Sequence, residues 1–186
     1  MNKDVLFNIP NRVSYARIIL LLTSIFLDDD LFVLTFSVST SLDLIDGTIA
    51  RYYRQTTRMG ACLDMYTDLS TTTVIVCKIL ERTPSSGLIL ALFVDLISHT
   101  MFFSVAVAQN VSHKKPKLKL LKIYYNTAVL VTLCAGTGIY HILLYLETYK
   151  KVNEDVVRVF FVLFILRSLF NVLRFAEGLA RLSDIK

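Results

Sequence analysis

Two pairs of aspartates lie in an otherwise strongly apolar sequence. Asp43 and Asp46 are three positions apart, and Asp64 and Asp68 are four apart. If both segments are helical, each pair lies along one helix face, and two facing helices would bring the four carboxylates into one polar cavity. Each ionised carboxylate at membrane depth costs about 2.5–3.5 kcal/mol, and mutual repulsion adds to that cost. No matching set of four basic residues lies on these segments, so we expect divalent cations to supply the positive charge.

A site built from carboxylates, without cysteine or histidine ligands, favours Mg²⁺ or Mn²⁺ over Zn²⁺. Two such ions bridged by carboxylates clamp phosphate oxygens and lower the barrier to in-line displacement at phosphorus. We therefore expect two ions at this site and phosphoryl-transfer chemistry.

Small and basic residues beside the carboxylates suit a substrate that contains phosphate. Gly47 and Gly60 remove side chains from the stripes that face the metals, so that a diphosphate and its nucleoside can approach the backbone. Arg51, one turn after Gly47, can form a bidentate contact with phosphate. Ala50 continues the first stripe, and Thr57 in the turn between the two helices can donate a hydroxyl.

The composition indicates that a membrane positions these residues. Hydrophobic residues make up 54% and charged residues 19% of the 186 residues, and the mean hydropathy is +0.57. This exceeds what one soluble core needs, so we predict an all-α integral membrane protein with a single domain over residues 1–186. A short interfacial helix is expected within the first ten residues, ending at Pro10. Six apolar stretches approach the roughly 20 residues that span a bilayer, namely residues 13–27, 31–50, 60–80, 86–109, 121–146 and 156–178.

The distribution of basic residues predicts the orientation of these six transmembrane helices. Most of the 20 lysines and arginines, Arg17 among them, lie on the side of the N-terminus. By the positive-inside rule both termini and the carboxylates are then cytoplasmic. The basic run from Lys114 to Lys122 is interpreted as a loop facing anionic lipid, and no nucleic-acid partner is expected. The glycosylation sequon at Asn110, next to that loop, is predicted to be unused.

The aspartate stretch resembles the signature of the CDP-alcohol phosphotransferases, D-x2-D-G-x2-A-R-x8-G-x3-D-x3-D. Every fixed position of that signature is present, as Asp43, Asp46, Gly47, Ala50, Arg51, Gly60, Asp64 and Asp68. The match is specific because eight residue types recur at fixed spacing, and the predicted six spans agree with the family fold.

The resemblance also implies roles for these residues. Asp43, Asp46 and Asp64 would ligate metal, and Asp68 would both ligate metal and act as general base on the incoming alcohol. The CDP-linked lipid would contact Gly47, Arg51 and Thr57 together with Ala50 and Gly60. Residence in the endoplasmic reticulum is a further expectation from the family.

Other stretches are similar to the eukaryotic branch of that family that makes phosphatidylinositol. They are IPNRVSYARI, MGACLDMYTD, DLISH, KIYYN and TLCAG. We therefore expect transfer of a phosphatidyl group from CDP-diacylglycerol to inositol, with release of CMP. Two positions depart from the expected pattern. Leu69 follows the last aspartate in place of a basic residue, and Thr56 stands in place of glycine.

Two alternative functions remain open at this point. A family member that uses glycerol 3-phosphate or serine would share every motif residue. A phosphorylated acceptor calls for a basic pocket, and Arg167 is the isolated candidate within the spans, which favours an uncharged alcohol. A six-span cation transporter would explain the carboxylates, but it would not explain the spacing of Gly47, Arg51 and Gly60.

Two further patterns have more than one interpretation. His99 lies one turn after Asp95, as either a structural hydrogen-bonded pair or a substrate contact. Gly136 and Gly138 permit close helix packing, either within the chain or in a homodimer.

Overall fold

The protein is all-helical in the part of the chain that the structure describes. The computed structural model describes residues 6–53, 55, 57–109 and 116–183, with the backbone alone for residues 44–51. No strand occurs in these residues, so the all-α prediction is confirmed. The helices are α1 (Ile9–Ser24), α2 (Asp29–Tyr52), α3 (Arg58–Leu80), α4 (Ser86–Ala108), α5 (Lys119–Tyr124), α6 (Thr127–Glu147) and α7 (Glu154–Ser183).

Five of the six predicted stretches correspond to one helix each, and the stretch 121–146 is divided. A break at residues 125–126 separates α5 from α6. Asn126 caps α6, because its side chain accepts a hydrogen bond from the backbone N–H of Ala128 at 3.1 Å. This cap satisfies a donor that would otherwise be orphaned at the helix start, so a new helix begins there. The prediction of one continuous helix over 121–146 was wrong.

The N-terminal prediction also needs a correction at Pro10. Asn8 caps α1, since its side chain accepts from the N–H of Asn11 at 2.9 Å, and Pro10 lies in the first turn of that helix. Proline is favoured there because its missing N–H is an orphan donor in any case. Pro10 therefore opens α1 and does not end an earlier helix. The rest of the predicted interfacial helix includes residues 1–5, which are outside the described residues.

The chain divides into two compact units, Met1–Val74 and Ile75–Lys186, and α3 passes from the first into the second. In the first unit α1 packs along α2. The side chains of Leu21, Phe32 and Phe36 are buried there, and the two phenylalanine rings lie 5.6 Å apart. The expected single domain over residues 1–186 stays a prediction.

In the second unit α7 is the central element and packs against α4, α5 and α6. A buried cluster of Leu121, Tyr124 and Leu133 contacts Leu163 and Phe170 of α7. Gly136 of α6 also belongs to this packing, because a Cβ added there would collide with Leu163. The close approach that the glycine permits is therefore made within the chain.

Three of the described helices are long and apolar enough to cross a membrane, judged by length and composition. They are Ser86–Ala108, Thr127–Glu147 and Glu154–Ser183, with hydropathies of 2.0, 1.8 and 2.1 over their most apolar windows. These helices make the chain an integral membrane protein, as the composition predicted.

Candidate metal centre and active site

Three of the four predicted carboxylates converge in the first unit. Asp43 is on α2, and Asp64 and Asp68 are one turn apart on α3. One oxygen from each carboxylate lies within 4.8 Å of the others. The helical stripes predicted from the spacing therefore do bring Asp43 to the α3 pair. The backbone of Asp46 lies in α2, but its side chain is outside the described ones, so its place in the cluster stays a prediction.

The carboxylates are open enough to receive an ion. The side chains of Asp43, Asp64 and Asp68 are 34%, 39% and 45% exposed. Clustered, partly exposed carboxylate oxygens are the ligands that hard divalent cations prefer. The donor set therefore fits Mg²⁺ or Mn²⁺.

A buried arginine on α1 contacts this cluster. The sequence did not lead us to predict that contact. Arg17 is 1% exposed, and its Nη1 lies 2.7 Å from Oδ1 of Asp43. The same nitrogen lies 3.5 Å from Oδ1 of Asp64, and Nη2 donates to Oδ1 of Asp68 at 2.9 Å. The charge distribution places Arg17 on the side of the N-terminus, but it does not predict this burial against the carboxylates. An available signal was its position inside the predicted span 13–27, where an ionisable residue needs a partner.

The sequence around Arg17 explains its burial. Asn11, Ser14, Arg17, Leu21 and Ser24 are buried and recur every three or four residues, so they form one face of α1. The hydroxyl of Ser14 donates to the carbonyl of Pro10 on its own helix. The stripe is mostly polar, which is unusual for a helix in an apolar chain. It positions the guanidinium beside the carboxylates.

A hydrogen bond also fixes the position of α1 along α2. Ser39 of α2 is fully buried, and its hydroxyl donates to the backbone carbonyl of Arg17 at 3.1 Å. An intrahelical serine would ordinarily bond to its own helix, so this contact is specific to the α1–α2 pair. It sets the height of the guanidinium relative to Asp43.

Thr57 and Gly60 lie at the start of α3, as its N-cap and within its first turn. The N–H of Gly60 donates to Oγ1 of Thr57 at 2.9 Å, so Thr57 is the N-cap. A Cβ at Gly60 would lie 3.0 Å from Oδ1 of Asn11 and 3.1 Å from Oγ1 of Thr57. Gly60 therefore has a packing reason in this structure, beyond the predicted opening for substrate. The Thr57 hydroxyl hydrogen can still be donated, as its proposed substrate contact requires.

The turn between α2 and α3 is tied to the start of α1. Gln55 accepts the backbone N–H of Ile9 through its side chain at 3.1 Å, and Asn8 donates to the Gln55 carbonyl at 3.4 Å. This attachment was not predicted, because a lone glutamine in a polar turn carries no positional signal. It holds the segment that leads into Thr57.

The remaining motif positions are placed in part. The backbones of Gly47, Ala50 and Arg51 lie in α2, and their side-chain environment is outside the described residues, so their substrate contacts stay predictions. Thr56 is also outside the described residues. Leu69 is 5% exposed and belongs to the buried apolar residues. Leu69 is therefore a packing residue and is not a substitute for a basic contact.

A second polar cluster lies within the second unit, around Asp95 of α4. Its Oδ1 accepts from the Asn171 side chain at 2.6 Å, and the same oxygen lies 3.2 Å from Nδ1 of His99 and 3.6 Å from Nη2 of Arg167. The His99–Asp95 contact is thus present and belongs to a structural network. The interpretation of Arg167 as an isolated basic residue was wrong, since the buried Asp95 carboxylate is its partner.

The same network continues along α7. Arg174 is buried, donates to the side-chain oxygen of Asn171 and lies over the ring of Tyr124, 5.5 Å from its centroid. The spacing of Arg167, Asn171 and Arg174 by four and three residues places them on one helix face. That spacing is the signal from which the cluster could have been predicted.

The polar face of α7 ends at a buried carboxylate. Glu177 accepts the backbone N–H of Lys117 at 2.7 Å and that of Leu118 at 3.0 Å, and it pairs with Arg181. These two hydrogen bonds attach residues 117 and 118, which lie within the basic run from Lys114 to Lys122, to α7. Gln109 reinforces this attachment by donating to the carbonyl of Arg181 at 3.2 Å.

Comparisons with known proteins agree with the motif. The family described as CDP-alcohol phosphatidyltransferase matches residues 7–152. The CDP-diacylglycerol–inositol 3-phosphatidyltransferase of Saccharomyces cerevisiae is 35% identical over 80% of this chain and 72% of its own length. The protein of the same description from Homo sapiens is 33% identical over 81% of this chain and 75% of its own length. That from Arabidopsis thaliana is 29% identical over 84% and 72%. No solved structure matches the chain.

Proposed function

The chain belongs to the CDP-alcohol phosphatidyltransferase family, and from that premise we propose that it transfers the phosphatidyl group of CDP-diacylglycerol to inositol. The products are phosphatidylinositol and CMP. The observation that carries the chemistry is the convergence of Asp43, Asp64 and Asp68 within 4.8 Å. The acceptor rests on the relatives that are named for inositol and match most of the chain.

The metal ions are proposed from the donor set and the family. Asp43, Asp64 and Asp68, with Asp46 from the signature, would hold two Mg²⁺ or Mn²⁺ ions. When bound, such ions polarise phosphate oxygens and neutralise charge on the leaving group. Because the carboxylates are partly exposed, the diphosphate of the substrate would have room to reach the ions that they hold.

The chain's own residues then carry out the proton transfer and orient the substrate. Asp68 accepts the proton of an inositol hydroxyl, and the hydroxyl oxygen forms a bond to the phosphorus that carries the diacylglycerol. The bond from that phosphorus to the oxygen bridging to CMP breaks, and CMP leaves. Arg51 and Thr57 are proposed to hold the nucleotide phosphate. General-base assistance contributes about 10²–10⁴-fold to such a step.

The pairing of two arginines of α7 with carboxylates favours an uncharged acceptor over a phosphorylated one. Arg167 contacts the carboxylate of Asp95, and Arg181 contacts that of Glu177. Their positive charges are therefore already balanced, and an acceptor phosphate would have to compete with a buried carboxylate for each of them.

Substrate choice is tested with the purified protein, CDP-diacylglycerol and either Mg²⁺ or Mn²⁺. Inositol, glycerol 3-phosphate and serine are supplied separately, and CMP release is measured. We expect metal-dependent release with inositol and little with the other two, and no release from Asp64→Asn as the matched control. Faster release with glycerol 3-phosphate would move the chain to another branch of the family. A cation transporter would release no CMP with any acceptor.

The membrane arrangement is part of the same proposal. Helices α2 and α3 have 24 and 23 residues, enough to cross a hydrocarbon core of about 30 Å at 1.5 Å per residue. With α1, α4, α6 and α7 they would make six spans. Both termini and the carboxylates would be cytoplasmic, in the membrane of the endoplasmic reticulum. A homodimer is a prediction that the in-chain contact of Gly136 does not require.

A further inference from the structure

We propose that Arg17 is a resident counter-cation that stands in for metal in the metal-free protein, stabilising the carboxylate cluster at the expense of metal affinity. The inference rests on the metal site of the proposed function and concerns a residue outside the aspartate motif. It makes Arg17 a positioning residue, since it acts through the carboxylates.

The contacts of Arg17 join three helices through one guanidinium. Nη1 lies 2.7 Å from Asp43 of α2 and 3.5 Å from Asp64 of α3, and Nη2 lies 2.9 Å from Asp68. The guanidinium is planar, always charged and rigid, so it can contact several carboxylates at once in a fixed geometry. A lysine ammonium in its place would be a single point charge.

Exposure shows from which side Arg17 reaches the cluster. Its side chain is almost completely buried, whereas the three carboxylates are partly exposed. The guanidinium therefore contacts the cluster from the protein interior, and an ion can approach from the open side. A carboxylate has about four lone-pair positions on its two oxygens, so the contact with Arg17 leaves acceptor capacity for metal.

The electrostatics give Arg17 opposite effects in the two states of the site. Three carboxylates with oxygens within 4.8 Å of one another repel one another when they are ionised. Without metal, Arg17 offsets that repulsion. Bound divalent cations would neutralise that repulsion themselves, and the positive guanidinium would then oppose their binding. The effect of removing Arg17 must therefore depend on metal.

The experiment compares the thermal stability and Mn²⁺ affinity of the purified full chain with those of Arg17→Gln and Arg17→Lys. Unfolding midpoints are measured in EDTA and in saturating Mn²⁺, and Mn²⁺ binding is measured by electron paramagnetic resonance without lipid substrate. We expect Arg17→Gln to be clearly less stable in EDTA and to recover most of the deficit in Mn²⁺. By linkage the same variant must bind Mn²⁺ more tightly, by about tenfold. For Arg17→Lys we expect a stability in EDTA and a Mn²⁺ affinity between those of the wild type and those of Arg17→Gln.

A packing role would give a different pattern. If Arg17 only fills space, Arg17→Gln loses the same stability with and without Mn²⁺, and its Mn²⁺ affinity is unchanged or weaker. Either result overturns the proposal. If Arg17→Gln does not fold even in Mn²⁺, Arg17→Lys carries the test, and unchanged Mn²⁺ affinity in that variant likewise overturns it.

A second variant isolates the repulsion. Asp43→Asn removes one of the repelling charges, so Arg17→Gln should cost less stability in EDTA when Asp43 is already asparagine. Additive effects would contradict the proposal. None of these measurements uses an acceptor or CMP release. Failure of the Arg17 proposal is therefore distinguishable from failure of the proposed enzymatic function.

Discussion

Two glutamate–arginine pairs on α7 permit a controlled test of how burial changes the value of an ion pair. Glu177 and Arg181 are 3% and 4% exposed, whereas Glu154 and Arg158 are 79% and 71% exposed. Both pairs have the same residue types, the same four-residue spacing and the same helix. Glu177→Gln and Glu154→Gln are therefore the same substitution at a buried and at an exposed site, where Arg158 also keeps Asp155 as a second carboxylate at 3.2 Å.

The structure sets the expected sizes of the two effects. Removing the charge of Glu177 takes away the carboxylate that pairs with the buried Arg181 and weakens the acceptor of the Lys117 and Leu118 N–H groups. Breaking a buried pair by removing one partner costs about 3–5 kcal/mol. At about 2–4 °C per kcal/mol for a chain of this length, the midpoint should fall by roughly 6–20 °C. The exposed pair contributes about 0.3–0.5 kcal/mol, or roughly 1–2 °C.

The assay is thermal unfolding of both purified variants in the same detergent, followed by circular dichroism or a thiol-reactive dye. Added salt should increase the difference between the two variants. Screening reduces the stabilisation that the exposed pair contributes and leaves that of the buried pair almost unchanged. Equal shifts for the two variants would refute the reasoning. So would a fall of less than about 3 °C for Glu177→Gln, because the buried carboxylate would then contribute no more than a surface one.

The remaining predictions concern the site, the topology and the packing. Asp68→Asn should lower the rate of CMP release to below about a tenth of wild type while leaving binding of the lipid nucleotide nearly normal, because the general-base contribution is at least that large; a higher residual rate excludes Asp68 as the base. Removing divalent cations with EDTA should stop CMP release, and adding Mg²⁺ or Mn²⁺ back should restore it; release that persists in EDTA contradicts the metal site. Asn110, which lies outside the described residues, should carry no N-glycan when the protein is expressed in eukaryotic cells, and a shift on glycosidase treatment would reverse the proposed orientation. Gly136→Ala should destabilise the protein by about 1–3 kcal/mol, since the new Cβ collides with Leu163, and an unchanged unfolding midpoint would show that this packing can relax.

Local patterns in the sequence were sufficient for the helices and for most of the metal-site proposal. Apolar stretches of span length predicted α2, α3, α4 and α7 closely, because the length of an apolar helix is set by its own residues. The spacing of Asp64 and Asp68 placed both on one face of α3, since helical periodicity is a local property. The same periodicity placed Asp43 on a polar stripe of α2, which was expected to face the pair on α3. The break at Asn126 was missed because a single capping residue within a long apolar stretch is a weak signal.

Only the tertiary structure decided which charges meet. Arg17 is 26 residues from Asp43 and 51 from Asp68 along the chain, and no local pattern states that its guanidinium reaches both. The same holds for Asp95, whose partners Arg167 and Asn171 come from a helix more than 70 residues later. A buried charge must find a partner, and that requirement is visible in the sequence. The identity of the partner depends on which helix faces pack together. That packing is a property of the whole fold.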